Sequence, residues 1–102
     1  MPDAPIRISL IEHGDFLSSR ALGAEVRSQV EDLLEQGSRV VIDMSGVTGI
    51  SNSFADELAA KLVASHGTER VFESVRFSSV SEDVALAIRV SIERRLRPRA
   101  AS

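Results

Sequence analysis

The sequence predicts a small α/β fold of order βαβαβα, with a short, mostly parallel sheet packed by helices. Three observations predict it. Segments of two-residue and 3.6-residue hydrophobic period alternate along the chain. The middle strand candidate carries Val40, Val41 and Ile42 in succession, the β-branched run of a strand covered on both faces. Each helical segment also has its own stop signal, Gly37, Gly67 and Pro98 in turn.

The elements follow in order. Ile6, Ile8 and Leu10 alternate with Arg7 and Ser9, a half-buried strand over about 5–12. A turn at 12–15 leads to a helix over about 19–36, capped by Ser18 or Ser19, with Leu22, Val26, Val30, Leu33 and Leu34 on its apolar face. Its outer face carries Glu25, Glu31, Asp32 and Glu35 against Arg27, either a solvated surface or an acidic docking surface. After the strand 39–44, the loop 45–49 turns the chain, with Val47 and Ile50 as plugs into the core. A second helix starts near Ser53 and buries Phe54, Leu58 and Leu62. A third strand falls at 74–78. The last helix, over about 82–96, has Glu82 and Asp83 in its first turn and Arg94 and Arg95 in its last, matching the helix dipole. Val84, Ile88, Ile92 and Leu96 form its stripe.

These 102 residues fit one domain, with a core at about 6–96 and a disordered tail at 98–102. The absence of cysteine excludes a disulfide scaffold and a thiolate metal site. The two histidines, His13 and His66, lie far apart and read as solvated, so no metal or cofactor is expected. A net charge of −3 gives no global field for nucleic acid, and the arginines 89, 94, 95, 97 and 99 read as one local basic end. With four phenylalanines and neither tryptophan nor tyrosine, base-stacking surfaces are hard to build. No apolar run reaches membrane length and MPDAPIRISL has no leader pattern, so a cytoplasmic protein is expected. Phosphate loops and nucleophile elbows are lacking.

The informative stretch is 40–58. A buried strand ends at Asp43, a short loop follows, and Ser51-Asn52-Ser53 opens a helix. Sites in open α/β sheets gather at such carboxyl ends of strands. Ser53, three residues before Asp56, approximates a capping box; Asn52 would cap one register earlier. Asp43 is placed to orient the 51–53 loop by accepting its amides, or to act as a catalytic carboxylate. Arg20 opposes the dipole of its own helix by a few tenths of a kcal/mol, so Asp15, Asp43 or a bound anion should offset it. Asp56 and Glu57 are adjacent on a helix, point about 100° apart, and cannot form a facing pair.

This layout resembles the STAS domain of anti-sigma-factor antagonists, and more closely the short bacterial STAS-like domains of unassigned function. The resemblance rests on Gly14, Phe16 and Ser19-Arg20 at the first helix, on Val40–Met44 followed by Gly46-Val47, on Ser53-Phe54-Ala55-Asp56-Glu57-Leu58, and on Val80–Val84. It covers about residues 6–95. It implies a signal-transduction role in which a partner kinase phosphorylates a loop hydroxyl. That position falls on Ser53, with Asn52 and Ser51 before it and Phe54 where the relatives carry glycine. It also implies a protein partner, a histidine-kinase-type ATPase or an anti-sigma-like kinase.

The leading expectation is therefore a non-catalytic regulatory module that docks through the loop 45–53 and the exposed face of the second helix. The alternatives are a small anion-binding, nucleotide-binding or enzymatic domain using Ser53, Asp43 and Arg20, and a homodimer that hides one sheet edge. A phosphate on Ser53 gains about 0.3–1 kcal/mol from the dipole. Asp56 and Glu57 at roughly 6 Å each repel it by about 0.7 kcal/mol. On that balance a phosphate alters surface charge and does not lock the helix.

Overall fold

Three short strands, Ile6–Ser9 (β1), Val40–Asp43 (β3) and Val75–Ser78 (β5), form an all-parallel sheet of order β1-β3-β5 in a computed structural model that describes residues 4–97. Ile8 is paired with Ile42, and Ile42 with Phe77. The expected α/β order is therefore present, with β3 central. Both-face coverage is not. Val40, Ile42 and Met44 are buried, whereas the opposite face carries exposed Arg7 and Arg76 around half-buried Val41. All the buried strand side chains thus lie on one side, and the run Val40-Val41-Ile42 reflects β-propensity more than two-sided burial.

The first strand is shorter than its alternation. At Leu10 the chain tightens into a 3-10 turn, Leu10–His13, that buries Leu10 fully. Gly14, at φ 124°, then redirects it. A second, two-stranded parallel ladder was not foreseen. Phe16–Leu17 (β2) pairs with Gly49–Ile50 (β4), two residues each, too short for periodicity to reveal.

Helix α1, Arg20–Glu35, begins at Ser19, whose hydroxyl accepts the Leu22 amide at 3.1 Å. Gly37, at φ 80°, follows its end. Helix α2 opens as Asn52–Ala55, widens into a π-turn over Asp56–Ala60, and resumes as Lys61–His66 before Gly67. An unforeseen helix α3, Thr68–Ser74, then leads into β5, so that strand starts at Val75 and not at Ser74. Helix α4, Glu82–Leu96, matches its expected span and is capped by Ser81, which accepts the Val84 amide. Val84 and Ile88 are buried and Ile92 is partly so, but Leu96 is exposed, so the stripe ends a turn early. The tail at 98–102, Arg99 included, lies outside the described residues. No described helix is long and apolar enough to cross a membrane.

The core sits between the inner face of the sheet and the helices. Phe54, Leu58 and Leu62 are at most 2% exposed, and Val47 is buried with Ile50 packed against the cluster. Helix α2 has no broad exposed face of the kind expected. From Phe54 to Val63 every residue is buried except half-buried Asp56 and Lys61. Its small residues Ala55, Ala59 and Ala60 let α1 and α4 close over it from two sides. A helix apolar nearly all round belongs inside.

Candidate functional site

Ser51, not Ser53 or Asn52, caps α2. Its hydroxyl accepts the Phe54 amide at 3.0 Å and donates to the Ser18 carbonyl at 3.0 Å. Its own amide donates to the Leu17 carbonyl. One serine thereby fixes the helix start to the β2–α1 junction, and Ser53 is released from a capping role. Ser53 Oγ instead lies 3.3 Å from Arg20 Nη2, while Asn52 is exposed.

Arg20 is offset neither by Asp15 nor by Asp43. Its Nη1 donates to Glu57 Oε1 at 2.8 Å and approaches Asp56 Oδ2 at 3.7 Å. Glu57 is the centre of this cluster. Only 4% exposed, it also receives Lys61 Nζ at 2.7 Å and Arg27 Nη1 at 3.0 Å. Arg27 Nη1 donates as well to the Glu57 backbone carbonyl. The Lys61 ammonium first, then the Arg20 guanidinium, hold the carboxyl down from 4.5 to about 2, outweighing the opposing effect of burial.

Asp56 faces the other way, as the angular offset requires. Arg95 grips it with Nε at 2.8 Å and Nη2 at 2.7 Å, and that bidentate contact leads the lowering of its pKa. Glu57 therefore ties α2 to α1, and Asp56 ties it to α4, with Arg20 touching both. The repulsion anticipated for a phosphate on Ser53 loses its premise, because both carboxylates are already neutralised by cations. A dianion there would meet Arg20 first.

Close approach makes this possible. A Cβ on Gly23 would stand 2.9 Å from Glu57 Cβ and 3.1 Å from the Phe54 carbonyl. Only glycine lets α1 pack against the π-turn at this point. Such turns, rare in helices, often mark functional positions.

Asp43 is elsewhere. It accepts the Ser45 hydroxyl at 2.7 Å and the Ser45 amide at 2.9 Å, and pairs with Arg7 at 3.0 Å. The Ser45 contacts lead the lowering of its pKa, with Arg7 adding less. It orients the beginning of the 45–49 loop and not residues 51–53. Of the trio Ser53, Asp43 and Arg20, the structure joins only Ser53 and Arg20.

Arg27, Lys61 and Arg95 were not among the expected site residues. The sequence puts Arg27 on a solvated or docking face and Arg95 in a local basic end; the structure pairs them with Glu57 and Asp56 instead. The signal open to sequence was Glu57 four residues before Lys61. His66 is not solvated either: its Nε2 lies 2.9 Å from Glu31 Oε2.

A one-sided parallel sheet, with a helix opened by hydroxyl-bearing residues beside its carboxyl edge, defines a small STAS-type α/β domain. The chain belongs to the family described as STAS-like domain of unknown function (DUF4325), whose model matches residues 23–85. Comparison with curated proteins and with solved structures gives no significant match.

Proposed function

We propose that the chain is a non-catalytic regulatory module that docks a protein partner through the loop 45–53. One observation carries this reading: the loop is flanked by bare apolar side chains. Phe16 is 59% exposed and Ile11 40% exposed. Phe16 lies over Gly49, where an added Cβ would come within 2.8 Å of its ring, and Ile11 lies against Gly46 in the same way at 3.0 Å. Exposed Ser45 and Thr48 frame them, while Asp43 and the Asp15 carbonyl tether the loop backbone. A preorganised loop with an aromatic anchor and a hydroxyl rim is the composition of a docking patch. Ser53, at the end of the same loop, is free of a capping duty and is its switching hydroxyl. The family resemblance makes a kinase or a histidine-kinase-type ATPase the first partner class to test.

The test is affinity capture with wild type, Phe16→Ser, Ser53→Ala and Ser53→Asp, followed by titration with the purified partner. A partner kept by Ser53→Ala and weakened at least tenfold by both Phe16→Ser and Ser53→Asp supports the reading. Burying one phenylalanine stabilises a complex by roughly 1.5–3 kcal/mol, enough for that factor. Equal binding by all four proteins refutes it.

A further inference from the structure

We infer that a cleft between the starts of α1 and α2 and the last turns of α4 binds a phosphoryl group. The cleft has a volume of about 200 Å³ and is lined by Arg20, Asn52, Ser53, Asp56, Ser91 and Arg94. Three observations point there. Arg94 is exposed and forms no ion pair or side-chain hydrogen bond among the described residues, although it stands one residue from Arg95, which does. Ser91 is 6% exposed, and no side-chain hydrogen bond among the described residues uses its hydroxyl. The Arg20 Nη2 contact to Ser53, at 3.3 Å, is long for a hydrogen bond, so that nitrogen has capacity to spare.

Charge balance favours an anion. The single carboxylate in the lining, Asp56, is held bidentately by Arg95. Around α2 the fold gathers Arg20, Arg27, Lys61, Arg94 and Arg95 against Asp56, Glu57 and Glu31, a local excess of positive charge in a chain whose net charge is −3. The donors converge from three helical segments: two guanidinium groups, two hydroxyls and one amide. That spread suits the several oxygens of a tetrahedral phosphoryl group better than the two coplanar oxygens of a carboxylate. The cleft shares Ser53 with the docking reading but needs no protein partner, so either proposal stands if the other falls.

The experiment is a titration of the isotope-labelled full chain with inorganic phosphate at constant ionic strength, followed by amide NMR. O-phosphoserine serves as the esterified probe and acetate as the carboxylate control. Saturable shifts are expected at Asn52, Ser53, Ser91 and Arg94 with phosphate or its ester, and none with acetate. Tighter binding of phosphoserine means that the group arrives on a larger molecule; tighter binding of inorganic phosphate means a free ion. Either outcome supports the cleft. Arg94→Gln should weaken binding at least tenfold while lowering the melting temperature in phosphate-free buffer by no more than a few degrees, because Arg94 holds no side chain and gives up only its place at the helix C-terminus. Ser91→Ala should weaken it severalfold. Non-saturating shifts spread over unrelated arginines, or an Arg94→Gln protein that binds like wild type, would overturn the inference.

Discussion

Replacing Glu57 by glutamine tests the cluster that joins α2 to α1. Glutamine keeps the shape and one acceptor oxygen but removes the charge that Lys61, Arg20 and Arg27 surround. The carboxyl is held at about 2 against 4.5. Each unit of such a shift corresponds to about 1.4 kcal/mol, which gives about 3 kcal/mol of preference for the ionised form. Losing one member of a buried ion pair costs about 3–5 kcal/mol, but here the released cations are partly exposed and rehydrate, so the lower figure applies. In a domain of this size that lowers the melting temperature by about 10–25 °C. The pH dependence supplies the stricter criterion. The folded-state pKa lies below the unfolded one, so the stabilisation is present above the unfolded value and is lost as pH falls from 4.5 toward 2. Urea unfolding should show wild type about 3 kcal/mol more stable than Glu57→Gln at neutral pH, and only about 1 kcal/mol more stable near pH 3. A neutral-pH difference below about 1 kcal/mol, or an equal difference at both pH values, would refute the assignment of Glu57 as the charged centre of the fold.

Two further substitutions probe the geometry around this centre. Gly23→Ala should destabilise the protein in thermal melts by about 1–3 kcal/mol although alanine is the better helix former, because its methyl group would enter the Glu57 and Phe54 contacts. A stabilised variant would show that α1 and the π-turn separate without cost. Ser51→Ala should cost about 1 kcal/mol or more in urea unfolding through the lost cap, whereas Ser53→Ala should stay within about 0.5 kcal/mol. The reverse order would return the cap to Ser53.

The legible parts of the sequence were those governed by local rules. The apolar face of α1, the stop at Gly37 and the dipole-matched ends of α4 predicted those helices to within a residue or two, because caps and periodicity act over a single turn. The inward placement of Phe54 followed from the same periodic reading. The site was legible only in part. Ser51, Asn52 and Ser53 all satisfy the rule for a cap, and the choice of Ser51 depends on the Ser18 carbonyl, thirty-three residues away in the chain. The partners of Arg20 likewise lie 36 and 37 positions on, beyond any local pattern. Helix α2 lacks the expected exposed face for a simpler reason. Its run from Phe54 to Val63 contains three charged residues, and each is consumed by an ion pair inside the fold.

The π-turn of α2 also takes up one residue without turning the helix. A regular helix advances about 100° per residue and the wider turn advances less, so the five residues Asp56–Ala60 complete roughly the rotation of four and Lys61–His66 keep their phase. Upstream of the turn, the phase is fixed by the Ser51 cap and by Phe54 in the core. Downstream, it is fixed by buried Leu62 and Val63 and by the Lys61 contact to Glu57. A sequence one residue shorter here could form an unbroken helix with Leu62 and Val63 still turned to the core. What the extra residue adds is the widened turn itself, where Asp56 reaches Arg95 on one neighbouring helix and Glu57 reaches Arg20 and Arg27 on the other.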